Sequence, residues 1–248
     1  MTLEAFFAEH PKVALAFSGG VDSAYLLYAA KQYGADVTAY YVKTPFQPQF
    51  EYDDALALAG QLKANMVTIS LDILAHPQIV ANPQNRCYFC KKQIFTAIAK
   101  QAEQDGYPVI LDGTNFSDDP GDRPGMQALR ELEVLSPLRL CGLTKNAIRR
   151  LSKEADLFTH DKPAYACLAT RIPTGMPITA ELLEKTETCE GYLMALGFRD
   201  FRIRITPEGA KLQIKKEQFP LLEQHRQEIF DRLSREYGFV FPDPEVRQ

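Results

Sequence analysis

The chain has no tryptophan, no apolar run long enough to cross a bilayer and no excess of positive charge. The lack of tryptophan carries no functional meaning. The missing apolar run argues against a spanning helix, which needs about 20 such residues. Lysine and arginine number 28 against 32 aspartates and glutamates, a net charge of −4, which disfavours a broad nucleic-acid face. The opening Met1-Thr2-Leu3-Glu4-Ala5 has neither the basic segment nor the long apolar stretch of a secretory signal. Five cysteines, an odd number with two spaced CxxC, do not suit a secreted disulfide scaffold. The expectation is a cytoplasmic protein without membrane contact. Two phosphate-binding signatures are missing as well. There is no GxxxxGK[ST] and no GxGxxG, which excludes a Walker loop and the dinucleotide fingerprint. No internal repeat or low-complexity tract is present.

What is there begins with residues 13–30, VALAFSGGVDSAYLLYAA. Residues 13–17 are an apolar, strand-forming run, and residues 23–33 carry apolar side chains at helical spacing. Between them stand Ser18, Gly19, Gly20, Val21, Asp22 and Ser23 with no spacer. Adjacent glycines let the backbone turn tightly and bring its N–H groups close to a ligand. A helix N-terminus adds partial positive charge and unpaired donors, so the turn suits a phosphate. Ser18 and Ser23 can add hydroxyl donors. A carboxylate beside such a cradle makes sense if a divalent cation bridges the two, so Mg²⁺ is expected near Asp22.

A length of 248 residues with 46% hydrophobic content suits one α/β domain plus a small second one. Strands are expected at residues 13–17, 36–42, 66–71, 108–111 and 133–138. Helices are expected at 2–10, 23–33, 52–62, 87–105, 126–131 and 144–155, the last capped by Thr144. Residues 72–86 read as irregular, broken by Pro77 and Pro83. The alternating order predicts an α/β fold, a five-stranded doubly wound parallel sheet with helices on both faces. Ligands in such sheets bind at the carboxyl ends of the strands. The loop near Tyr41 and Lys43 is then placed to meet adenine through its backbone. Asp112-Gly113-Thr114-Asn115, after the fourth strand, faces the nucleotide.

Residues 160–177, HDKPAYACLATRIPTGMP, are too rich in proline for regular structure. The domains are therefore set at residues 1–160, a connecting loop at 161–178 and a small α+β C-terminal domain at 179–248. In the last, helices are expected at 179–196 and 217–237. Two alternating stretches, 201–205 and 210–214, flank Thr206-Pro207-Glu208-Gly209 as a hairpin. Residues 239–241 can add a last strand.

Cys87 and Cys90, spaced by three, reach one helical face or one turn and so one metal centre. CxxC alone leaves zinc, iron–sulfur, a redox pair or coincidence open. A redox pair would follow a strand directly, and here an irregular loop precedes it. Structural zinc needs four ligands, and a second CxxC is missing. Three cysteines can hold a cubane cluster and leave one iron open. The third is Cys167, four residues before Arg171, which can lower its pKa or bind a phosphate. Cys141 and Cys189 read as structural.

SGGVDS after a buried strand resembles the PP-loop of the ATP pyrophosphatase superfamily, with its adenine-nucleotide α-hydrolase-like fold. Followed by NRCYFCK, DGTN and CLATRIP, it makes an ordered set that resembles the LarE family, covering about residues 3–201. The resemblance implies ATP-dependent sulfur transfer to pyridinium-3,5-biscarboxylic acid mononucleotide, in the synthesis of the nickel-pincer nucleotide cofactor. ATP adenylates a carboxylate, with release of pyrophosphate, and sulfur then displaces AMP. In one branch of the family a single cysteine, matching Cys167, gives up its own sulfur. In the other, three cysteines, matching Cys87, Cys90 and Cys167, hold a [4Fe-4S] cluster with an extra sulfide, and this sequence resembles the second. Asp22, Cys167 and Arg171 are the implied catalytic residues. Arg171, Arg202 and Arg204 are candidates for gripping a mononucleotide phosphate. Sulfide or a sulfur-donor protein, and a homo-oligomeric state, are implied partners. The chain departs from the family after Leu196: Ile205-Thr206-Pro207 replaces a histidine-containing stretch, and the ending at 241–244 is short.

A tRNA-thiolating enzyme also joins a PP-loop to CxxC, but it calls for a basic RNA surface or added zinc modules. An ammonia-fed amide ligase does not need three cysteines, and a non-catalytic nucleotide-binding module would use them for packing.

Overall fold

The structure, a computed structural model, describes residues 1–118 and 124–243. The chain opens with α1 (Leu3–Glu9), β1 (Lys12–Ala16), α2 (Val21–Gln32), β2 (Asp36–Lys43), α3 (Gln49–Gln61) and β3 (Asn65–Ser70). One-turn α4 (Pro77–Val80) precedes α5 (Arg86–Gln104), β4 (Ile110–Leu111), α6 (Pro124–Glu131), one-turn α7 (Pro137–Leu140) and α8 (Lys145–Glu154). Then come α9 (Ala180–Ala195), β5 (Arg202–Thr206), β6 (Gly209–Gln213), α10 (Phe219–Gln224), α11 (Arg226–Tyr237) and β7 (Val240–Pro242). The chain divides into two compact units, residues 1–73 with 85–162, and residues 74–84 with 163–248.

The first unit is built on a parallel sheet of order β3-β2-β1-β4. Alternate side chains of a strand face opposite ways, and the two apolar clusters sort accordingly. Val13, Leu15 and Phe17 of the β1 run join Leu26 and Leu27 of α2 and Ile148 of α8. Ala14 joins Tyr40, Phe95 and Ile98 of α5 and Leu129 of α6. Helices therefore cover both faces, the Rossmann-like arrangement. β1 is an interior strand, hydrogen-bonded to β2 and to β4, and the strand order reverses between β1 and β4. Thr144 caps α8 as expected, its hydroxyl accepting from Ala147 N at 3.3 Å.

The sheet has four strands among the described residues, not five. Of the expected strand at 133–138, Leu135 alone makes a parallel bridge, to Leu111. Glu133 takes a left-handed φ of 53° behind α6, and Pro137 already starts α7. Too few residues remain between them to run a ladder.

The second unit has a sheet of order β5-β6-β7, with an antiparallel β5–β6 hairpin and β7 parallel to β6. Cys189 and Leu193 of α9, Ile203, Leu212, Ile229 and Leu233 form its core. Gly209 has φ +150°, and a Cβ there would stand 2.0 Å from Phe239 O, so only glycine fits between β6 and the strand that follows α11. The single long helix expected at 217–237 is interrupted. Pro220 sits in the first turn of α10, and His225 ends that helix and begins α11. The irregular stretch before the CxxC has an architectural reason. Asn82 is buried with a left-handed φ of 53°, and its amide donates to Ile172 O (3.3 Å), Pro173 O (2.7 Å) and Met176 O (3.1 Å). It fastens residues 74–84 to the proline-rich loop.

Candidate functional site

β1 delivers the glycine turn. Phe17 N donates to Tyr40 O at 2.9 Å, and the backbone then reverses through Gly19 at φ +71°. A Cβ on Gly19 would lie 3.0 Å from Ala55 Cβ of α3, so conformation and space both require glycine. Gly20 is the N-cap of α2, and no side chain caps that helix start. Its first-turn N–H groups and dipole are left for a ligand. Ser23 closes the turn from within: its Oγ donates to Gly20 O (3.2 Å) and accepts from Ser18 N (3.3 Å). The Ser18 and Ser23 hydroxyls are 3.1 Å apart.

The loop after β4 stands against this turn. A Cβ on Gly113 would come within 3.0 Å of Ser23 N. Asp112 is buried, its carboxylate accepting from Ser136 Oγ (2.6 Å) and from Thr114 Oγ1. Asn115 Nδ2 reaches Asp22 Oδ1 at 3.4 Å, and its carbonyl oxygen accepts from Ser117 N at 2.8 Å. The sequence-predicted residues after the first and fourth strands are thus brought together where the strand order reverses, the usual ligand crevice of a doubly wound sheet.

Lys145 was not anticipated from the sequence. It begins α8, its N–H donates to Ser117 Oγ (3.0 Å), and its Nζ pairs with Asp22 Oδ2 at 2.5 Å. The contact joins residues 123 apart in the chain, so no local pattern could announce it. Burial pushes the Asp22 carboxyl above the ordinary carboxylate value, and the Lys145 contact offsets only part of that. Side-chain exposures of 22% for Asp22 and 32% for Lys145 leave both in reach of solvent.

Tyr41 and Lys43 lie within β2, in register with Thr68 and Ser70 of β3. Tyr41 is buried in the core, and Lys43 Nζ donates to Gln47 O at 3.0 Å. Cys87 and Cys90 lie near the start of α5, three residues apart, Cys87 exposed and Cys90 half-buried. Side chains three apart on a helix are about 5–6 Å apart at Cβ, close enough to share a metal centre. None of the five cysteines is in a disulfide. Burial pushes the thiols of Cys141 and Cys189 up, Cys189 to about 11, away from nucleophile behaviour at neutral pH. Among the described residues no group of three His, Cys, Asp or Glu is poised around a metal ion, and no helix is long and apolar enough to cross a membrane.

Cys167 lies in the second unit, as the N-cap of a short 3₁₀ helix (Leu168–Arg171). Arg171 is buried. Its Nε and Nη2 donate to Glu190 at 2.9 and 2.8 Å, and its Nη1 donates to Ala166 O at 2.7 Å. Burial opposes the guanidinium charge, but the Glu190 bond and charge outweigh it and raise the Arg171 pKa. Arg202 is also buried, and it donates to Phe201 O and Ala164 O, both at 2.5 Å. Arg204 is more exposed, and it donates to Thr170 O at 2.9 Å and Gln213 Oε1 at 2.7 Å.

Fold and site together define an α/β protein with a glycine turn that opens an uncapped helix at the reversal point of its sheet. No family profile matches the chain. An uncharacterized protein of Synechocystis is 34% identical over 96% of this chain and 90% of its own length. One of Methanocaldococcus jannaschii is 29% identical over 93% of this chain and 88% of its own. The pyridinium-3,5-bisthiocarboxylic acid mononucleotide synthase of Lactiplantibacillus plantarum is 31% identical over 86% of this chain and 78% of its own. The chain belongs to the family of that synthase, the LarE family.

Proposed function

We propose that this protein is an ATP-dependent sulfur transferase that turns a carboxylate of pyridinium-3,5-biscarboxylic acid mononucleotide into a thiocarboxylate. The observation that carries the reading is the Ser18–Ser23 turn: a glycine cradle opening an uncapped helix, with Asp22 at its rim, in a relative of a named bisthiocarboxylate synthase. The first-turn N–H groups of α2 bind the pyrophosphate portion of ATP. Asp22 would hold Mg²⁺, which neutralises phosphate charge. Lys145 then exchanges Asp22 for a phosphate oxygen. The substrate carboxylate attacks the α-phosphorus, pyrophosphate leaves, and the acyl-adenylate carries a leaving group that a carboxylate lacks. Sulfur displaces AMP to leave the thiocarboxylate.

Two thiols on one turn of α5 fit part of a cluster ligand set. With Cys167 they would hold a [4Fe-4S] cluster, which when bound supplies a replenishable sulfide. Cys167 carries or anchors the transferred sulfur.

Anaerobic incubation with ATP, sulfide and the biscarboxylate mononucleotide, followed by mass spectrometry, tests the reading. The expected products are the thiocarboxylate, AMP and pyrophosphate. AMP release only with tRNA, or no change in the mononucleotide, overturns it. A brown colour lost in Cys87→Ala supports the cluster. Colourless protein lighter by H₂S at Cys167 after turnover replaces the cluster with the sacrificial route.

A further inference from the structure

The loop that carries Cys167 is held by charge as well as by packing. Arg171 Nη1 donates to Ala166 O at 2.7 Å, to Thr170 Oγ1 at 2.9 Å and, more loosely, to Cys167 O at 3.4 Å. Thr170 completes the knot, with its N at 2.9 Å and its Oγ1 at 2.8 Å from Cys167 O. The other edge of the guanidinium is forked onto Glu190 of α9. Glu190 in turn accepts from Tyr165 Oη at 2.5 Å and from Ile203 N of β5 at 2.9 Å. The Tyr165 ring lies 4.5 Å from the Arg171 guanidinium carbon and 5.2 Å from that of Arg202. Arg202 holds Ala164 O. The backbone at 164, 166 and 167 is therefore gripped by two guanidiniums, and Glu190 orients one of them. Leu168 and Ala169 are fully buried, while Cys167 is only half-buried.

An isolated charge inside a protein is costly, and a buried ion pair tends to stabilise less than apolar packing of equal volume. Packing alone does not call for Arg171 and Glu190. A planar fork that must take a carboxylate on one edge and backbone carbonyls on the other does, because lysine cannot reproduce that geometry. We infer that Arg171 and Glu190 are positioning residues that fix the backbone at Cys167, and so the placing of its sulfur, rather than groups that bind substrate phosphate. The role of that sulfur rests on the proposed function; the restraint on the loop does not.

Native-state alkylation of cluster-free protein by iodoacetamide, read cysteine by cysteine by peptide mass spectrometry, tests this with the exposed Cys87 of the same sample as reference. In Arg171→Lys, labelling of Cys167 relative to Cys87 is expected to rise at least tenfold. In the transferase assay kcat for thiocarboxylate is expected to fall at least tenfold, with KM for ATP changing less than threefold. Thr170→Val removes one strut and is expected to raise relative labelling at least threefold, which keeps the inference testable should Arg171→Lys not fold. Relative labelling within twofold of the parent in each variant that folds overturns it, as does a higher KM for the mononucleotide at unchanged kcat, which would mark Arg171 as a phosphate ligand. Full sulfur transfer by Cys167→Ser would sink the proposed role of Cys167 and leave the labelling result standing.

Discussion

Two carboxylate–cation pairs sit at the two loops that matter, and they are built in opposite ways. Asp22–Lys145, at the glycine turn, is a single contact between partly exposed side chains of two helix starts. Arg171–Glu190, beside Cys167, is forked, with side-chain exposures of 0% and 1%, and every polar edge is used. Water competes for the first pair and not for the second. The first can trade partners when phosphate or a divalent cation arrives. The second would have to strand a buried charge to open. On the proposed function, adaptable charge at the first loop would take a ligand, and immovable charge at the second would hold a thiol.

The contrast predicts very different costs. Glu190→Ala leaves Arg171 buried without its partner and should lower unfolding stability by about 3–5 kcal/mol, read from the urea midpoint. An effect under about 1 kcal/mol would erase the distinction between the pairs. Asp22→Asn should cost little stability, but it should lower AMP formation roughly 100-fold or more, since positioned charge at a reacting phosphate is typically worth that much. A loss below tenfold would remove Asp22 from the chemistry.

The same pair should show in pH dependence. A carboxyl whose pKa is raised in the folded state favours the folded form most below its ordinary pKa. That contribution is lost as pH rises through the folded value. Stability measured against pH should therefore fall less steeply across that window in Asp22→Asn than in the parent. Activity should decline on the acid side at a pH above the ordinary aspartate value. Gly19→Ala should cost about 1–2 kcal/mol from its positive φ, more if Ala55 cannot yield, and should weaken ATP binding. At the small end, Arg150→Ala breaks an exposed pair with Glu154 and should change stability by no more than about 0.5 kcal/mol by thermal melting.

The strand–turn–helix and the cap at Thr144 could be read from sequence because their causes are local. Residues 133–138 were misread because an apolar run looks the same whether it pairs along its length or, as at Leu135, through one residue. Lys145 opens a helix much as any solvated lysine would, and its partner lies far away in the chain. Glu190 stands mid-helix like a surface glutamate, yet it is 1% exposed. Such residues are defined by what the fold brings to them. The cysteines illustrate both cases: the CxxC spacing placed Cys87 and Cys90 on one turn, whereas the setting of Cys167 emerged only from the carbonyls around it.

The interior place of β1 bears on how the first unit breathes. An amide exchanges with solvent only when its hydrogen bond opens, and strands flanked on both sides open least. The glycine turn leaves β1 immediately after Phe17 N closes its bond to β2. The glycine turn is thus moored to a strand hydrogen-bonded on both sides, and deuterium uptake should step up sharply within the few residues that follow.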